Sequence, residues 1–346
     1  IPGGWLADHV SPRKLITISM LSTGIVGFYF AAFPSYTMSI IVHAFWGVSI
    51  TFTFWAAMIK ATRDWAPRSE QGRAFGILES GRGITELAFS TALLAIFAKL
   101  GSGDPALSRI IIILSVMNIL VGAMAWFSLE DSIRENSESK LNKSSIGFRE
   151  MITVLKMPVV WLISIVILAA YCAYWASYYF TPYATDVFLM SVVFGGAIAV
   201  GRMWIKPISA LGAGFLADKI GASKACFWAF IVLIFNFVVF TFTPGSPKLI
   251  LILIINVAIA SFAMFALRGV YFALFEEGGI PLAITGAVTG TVSFIGFTPD
   301  IFIPLLGGVF LDRFPGQRGY QYFFASITGL CFLGLLASII LRKVVK

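Results

Sequence analysis

The stretch Gly3-Gly4-Trp5-Leu6-Ala7-Asp8-His9-Val10-Ser11-Pro12-Arg13-Lys14 returns later as Gly212-Ala213-Gly214-Phe215-Leu216-Ala217-Asp218-Lys219-Ile220-Gly221-Ala222-Ser223-Lys224. Gly4, Asp8 and Lys14 each recur 210 residues downstream. A second pair follows nearly the same offset: Gly72-Arg-Ala-Phe-Gly76 matches Gly286-Ala-Val-Thr-Gly290, 214 residues apart. Two motifs repeated in the same order describe a chain built from two related halves.

The material between the motifs sets the solvent. Hydrophobic residues make up 58% of the chain and charged ones 12%, against roughly 25% charged in soluble proteins. Water cannot be kept from that much apolar surface by a soluble fold of this length. A bilayer-spanning helix needs about 20 mostly apolar residues. Ten stretches qualify: 14–33, 36–61, 73–98, 108–128, 158–180, 189–213, 223–243, 249–275, 283–310 and 320–341, with 1–8 as the tail of an earlier one. They are long and continuous rather than alternating in ten-residue segments, which excludes a β-barrel. Backbone polar groups in lipid must close their hydrogen bonds internally. The expected class is therefore an all-α, multi-pass membrane protein.

The formal charge of +8 resides in short loops, not in a nucleic-acid-binding face. One alternate set of connections holds sixteen Lys and Arg residues, the other five. The positive-inside bias places the richer set, and the C-terminus with it, in the cytoplasm. Residues 129–157 form one long polar connection, read as a cytoplasmic linker part of which is an amphipathic surface helix. It separates an N-terminal lobe, 1–128, from a C-terminal six-helix lobe, 158–346. Cys172, Cys226 and Cys331 sit singly in apolar segments and read as packing residues.

Gly4, Asp8, Arg13 and Lys14 resemble the loop motif between the second and third helices of the major facilitator superfamily, with His9 in place of the usual Arg and Ser11-Pro12 in place of Gly-Arg. Gly214, Asp218, Lys219, Gly221 and Lys224 match that motif more fully. The resemblance covers the whole chain and implies two pseudo-symmetric six-helix bundles that rock in alternating access. It also implies that the first helix and most of the second are missing here, so that the sequence is an amino-terminally truncated transporter. By the superfamily's pattern, Asp8 would face the span starting near Pro281 and Asp218 the span starting near Gln71, as gating contacts. The string RGVYFALFEEGGIP (268–281), with Thr298-Pro299-Asp300 beyond it, resembles the sugar-phosphate-permease-like bacterial branch.

Charges inside apolar spans are costly and mark function or pairing. Glu79, Arg82 and Glu86 share one helix face. Glu79 and Arg82 read as an internal ion pair. Glu86, about 20 Å into its span at 1.5 Å per residue, reads either as part of helix packing or as a proton-carrying group. Arg202 and Lys206, four apart on one face, and Arg268 are candidate contacts for an anionic solute, or else partners of a carboxylate in the other lobe. Asp300, between Pro299 and Pro304, is a second proton-coupling candidate. Tyr171, Trp175 and Tyr178 form an aromatic stripe in a helix that lines the cavity in the superfamily, and Asn256 is a weaker solute candidate. His43 reads as a packing residue.

No Cys, His, carboxylate or Ser set has metal or nucleophile spacing, so the expectation is a non-enzyme without cofactor or metal. The expected function is a secondary active transporter for a small polar, anionic organic solute such as a sugar acid, sugar phosphate or carboxylate. H+ is the expected coupling partner, in a monomer at the bacterial inner membrane. An anion exchanger without proton coupling, or a non-transporting membrane sensor or subunit, are the alternatives.

Overall fold

The computed structural model describes residues 2–100, 104–129 and 148–345. Among these residues the chain is helical, without strands. The two short helices are α1 (Pro2–His9) and α6 (Phe148–Leu155). The long ones are α2 (Pro12–Phe30), α3 (Tyr36–Trp65), α4 (Gln71–Lys99), α5 (Asp104–Ser128), α7 (Pro158–Asp186), α8 (Val192–Ile220), α9 (Ala222–Phe242), α10 (Pro247–Glu277), α11 (Leu282–Arg313) and α12 (Gln317–Val344).

These ten long helices fall on the ten apolar stretches read from the sequence. Seven of them, α3, α5, α7 and α9 to α12, are long and apolar enough to cross a membrane by length and composition. The other three carry charge that lowers their hydropathy: Arg13 and Lys14 in α2, Glu79, Arg82 and Glu86 in α4, Arg202 and Lys206 in α8. Of the 129–157 linker, Leu129 and residues 148–157, including α6, lie within the described residues.

Contacts divide the chain into two units, each drawing on both halves of the sequence. The first comprises Ile1–Trp65, Glu86–Lys156 and Pro281–Thr291; the second comprises Ala66–Thr85, Met157–Ile280 and Val292–Lys346. Helices α4 and α11 each contribute to both.

In the first unit, Ala7, Leu15, Ile16, Ala56 and Ala57 form the core where α1, α2 and α3 meet. Small residues set the helix spacing, as membrane packing favours. Thr17 Oγ1 donates to Gly122 O at 3.3 Å across α2 and α5. A π-helical turn at Ile50–Phe54 interrupts α3.

The core of the second unit is aromatic. Phe180, Phe237, Phe240 and Phe324 pack with ring centroids 4.8–6.4 Å apart, a spacing at which offset and edge contacts add to area burial. Tyr183, within this cluster, satisfies its hydroxyl on Phe240 O at 3.2 Å. Helix α7 is not uniform: it tightens to a 3-10 turn at Ser177–Tyr179 and resumes at Phe180. Pro207 interrupts α8 directly after Lys206, removing one intrahelical bond. Both irregularities lie beside the charged residues described next.

Candidate functional site

Each copy of the repeated motif closes onto the start of another helix. In the first unit, Asp8 Oδ1 and Oδ2 accept the backbone N–H groups of Gly286 and Ala287, each at 2.7 Å. The carboxylate is 3% exposed, with Lys60 Nζ 3.6 Å away. Orphan N–H groups and the positive dipole end of α11 both favour an anion there. Gly4 makes the approach possible, since a Cβ on it would collide with Gly286 O. Arg63, buried, donates to Thr285 Oγ1 at 2.7 Å in the same turn. Arg13 lies over the Trp126 ring at 4.3 Å, and the N–H of Lys14 is capped by Ser11 Oγ at 3.4 Å.

The second unit repeats the device. Asp218 Oδ2 accepts Arg73 N at 3.0 Å at the start of α4, with Arg73 Nε 3.8 Å away. A Cβ on Gly214 would run into the backbone of Gly72 and Gly76. So Gly4 meets Gly286 and Gly214 meets Gly72, the glycines of the second repeated motif. Gly221, at φ +94°, takes the left-handed turn into α9 that other residues avoid. Glu277 then caps α9, accepting Ser223 N at 2.7 Å and the Ser223 hydroxyl. Lys219 and Lys224 bracket this turn.

Deeper in the second unit, a single carboxylate gathers three cations. Glu79 Oε2 accepts Arg82 Nη1 at 2.8 Å. Its Oε1 accepts Arg268 Nε at 3.0 Å, and Lys206 Nζ lies 3.6 Å from that same oxygen. The Glu79–Arg82 pair read from the sequence is thus the local part of a four-residue cluster spanning α4, α8 and α10. Lys206 and Arg268, read as solute contacts, are both ion-paired to Glu79.

The aromatic stripe of α7 lies against this cluster. The Arg268 guanidinium sits over the Tyr174 ring at 4.2 Å and Tyr171 at 5.6 Å, and the two rings stack at 5.4 Å. Tyr174 and Tyr178 share a hydrogen bond at 2.7 Å. Arg202 lies over Tyr178 at 4.6 Å and donates to Ser177 Oγ in the 3-10 turn. Trp175 Nε1 donates to Asp300 Oδ1 at 2.6 Å. One continuous network therefore joins Glu79, Arg82, Lys206, Arg268, Tyr171, Tyr174, Trp175, Tyr178, Arg202 and Asp300. Arg202 also borders a cavity of about 270 Å³ between α8 and α10. Its other walls, such as Phe194, Ile198 and Ile254, offer nothing polar to a hydrophilic solute.

Two candidates stand apart. Asn256 is buried between α10 and α9 and gives its Nδ2 to Asn236 O at 3.0 Å, a packing contact outside the network. Asn256→Ala is expected to cost about 1 kcal/mol of stability and to leave solute responses unchanged, as thermal unfolding with and without solute would show. Glu86 belongs to the first unit and is exposed there. His43 Nδ1 contacts Ser39 O at 2.7 Å between Phe30 and Trp46. Sequence reading missed Tyr174 as a cation partner, and also Lys60, Arg63, Arg73 and Glu277. The signal for the capping groups was their place at helix ends.

A bundle of apolar helices, doubled motifs capping helix starts and a charged network beside aromatic rings define a polytopic membrane protein of the transporter type. The chain belongs to the major facilitator superfamily, whose family model matches residues 1–298. It is 29% identical to the inner membrane protein YihN of Escherichia coli K12 over 98% of this chain and 82% of YihN. Identity to the inner membrane protein YqcE of the same organism is 27%, over 97% and 80%. Among solved structures, a bacterial homologue of the iron transporter ferroportin, outward-facing, superposes with a TM-score of 0.78 at 12% identity, covering 99% of this chain and 86% of that one. The Escherichia coli fucose:proton symporter FucP does so with a TM-score of 0.75 at 14% identity, covering 98% and 86%. The protein is a multi-pass membrane transporter of the secondary type and not an enzyme.

Proposed function

We propose that the protein carries a small anionic organic solute, such as a sugar acid, sugar phosphate or carboxylate, by alternating access. The observation that carries this reading is Arg268. Its side chain is 9% exposed, its Nε is on Glu79, and its Nη1 is buried without a hydrogen-bond acceptor among the described residues. A buried donor without an acceptor is costly, and a guanidinium suits carboxylate or phosphate bidentately. Tyr171 and Tyr174 stack on one another beside it. Arg202 and Lys206, on the same helix, extend the cationic surface.

In this reading the lobes 1–128 and 158–346 alternate, and Asp8 and Asp218 act as latches on the helix starts they cap. Such caps contribute from a fraction of a kcal/mol to about 2 kcal/mol, enough to bias conformations a few kcal/mol apart. The positive-inside bias supports a cytoplasmic C-terminus in the inner membrane, and the solute site needs no second copy, which supports a monomer.

The test is a thermal-shift series on the full-length protein with gluconate, glucose 6-phosphate and succinate. At least one should raise the midpoint, and fucose should not. No response to any anion would overturn the reading. Proton coupling is assigned to Asp300, which Trp175 ties to the network, with Glu86 as the second carboxylate. Counterflow with and without a pH gradient should lose its pH dependence in Asp300→Asn or Glu86→Gln. If neither variant changes that dependence, the coupling assignment fails, and exchange without protons takes its place.

A further inference from the structure

We propose that Glu79 is an internal counter-anion that competes with the solute for Arg268, so that solute binding breaks the buried ion pairs between α4 and its neighbours α8 and α10. This rests on the anionic-solute reading above.

The two oxygens of Glu79 are held differently. Oε2 is held by Arg82 at 2.8 Å, a neighbour one turn along the same helix whose side chain is 39% exposed. That bond lies within α4. Oε1 is held by Arg268 of α10 at 3.0 Å and faces Lys206 of α8 at 3.6 Å. These two side chains are 9% and 10% exposed. The Oε1 contacts are the ones that tie this carboxylate to the neighbouring helices, and Gly83 lies against the Lys206 and Pro207 side chains beside them.

Burial determines how those contacts can be exchanged. A desolvated guanidinium is costly without an anion, so Arg268 gives up Glu79 only when another anion replaces it. The solute's anionic group is that replacement, taking the Nη1 edge, since Tyr174 covers one face of the guanidinium. Glu79 keeps Arg82 and swings with it toward the exposed side of α4. An empty site is therefore latched by Glu79, and an occupied site is latched by the solute instead. Glu79 lies in Gln71–Thr85, the α4 segment belonging to this unit, so the exchange loosens that segment at Glu79 while its start remains capped by Asp218 of α8.

Competition has a signature that a merely structural ion pair lacks. Removing the competitor must strengthen solute binding. Titration calorimetry on the full-length protein in detergent, with gluconate and glucose 6-phosphate as probes, should show Glu79→Gln binding about tenfold or more tightly than wild type. Glu79→Asp retains the charge and the fold while drawing the carboxylate back from Arg268, and should bind more tightly by a smaller factor. Transport by Glu79→Gln should fall despite the gain in affinity, because the latch no longer reforms on release. If wild type binds an anion and both variants bind it equally or more weakly, competition is overturned while the anionic-solute reading stands. If neither wild type nor either variant binds these anions, the anionic-solute reading itself is overturned, and the competition with it. Should Glu79→Gln fail to fold, the Glu79→Asp comparison decides alone.

Discussion

Arg268→Ala is expected to abolish the anion response, with affinity at least 100-fold weaker, corresponding to about 2.7 kcal/mol. The side chain supplies the buried Nη1 donor, the charge over Tyr174 and the bond to Glu79 at once. Truncating one member of an isolated buried ion pair costs about 3–5 kcal/mol of stability. Here Glu79 retains Arg82 and Lys206, so the loss in stability should be smaller, about 1.5–3 kcal/mol, the worth of a charged hydrogen bond. Arg268→Lys keeps the charge but loses the planar fork, and should fall between wild type and Ala in affinity. Thermal unfolding without solute measures the first quantity, and titration with gluconate or glucose 6-phosphate the second. An Ala variant that binds the anion as wild type does would remove Arg268 from the site.

The second large effect is expected at the other end of the machinery. Asp8→Ala deletes an acceptor that is 3% exposed and takes two backbone N–H groups at 2.7 Å. Hydrogen bonds to charged groups are worth about 1.5–3 kcal/mol each. The two N–H groups regain only part of that from water, and Lys60 loses its carboxylate. A net loss of about 2–4 kcal/mol in unfolding free energy is expected, read from thermal or denaturant unfolding in micelles. Asp8→Asn can still accept one N–H and should lose about half as much. Asp218→Ala, whose carboxylate is more exposed at 11% and accepts Arg73 N at the longer 3.0 Å, should be the milder of the two motif variants. Equal or reversed losses would show that depth of burial does not govern these caps. Because each carboxylate latches a helix start in the proposed cycle, both Ala variants should also slow transport beyond what lost protein accounts for.

The sequence carried the parts of this architecture that are local or periodic. Apolar runs of bilayer length fixed the helices, because lipid leaves the backbone no other way to satisfy itself. The offset of 210 between Gly4 and Gly214 and between Asp8 and Asp218 revealed the duplication. The pairing of Glu79 with Arg82 was legible because residues three apart on a helix are neighbours. The sequence also flagged Arg202, Lys206, Arg268 and Asp300, since charge in an apolar span is rarely idle.

What it could not supply was partnership between helices. Arg268 meets Glu79 across 189 residues, and Trp175 meets Asp300 across 125; no periodicity encodes either. Asn256 shows the same limit: nothing in its place in the sequence points to Asn236 O, which takes its amide. The tertiary structure alone decided that Lys206 and Arg268 converge on one carboxylate, and that Tyr174 lies under the Arg268 guanidinium. It did so because burial leaves a charge only the partners that packing brings within about 3–4 Å, and packing is set by the glycines and rings of helices far apart in the chain.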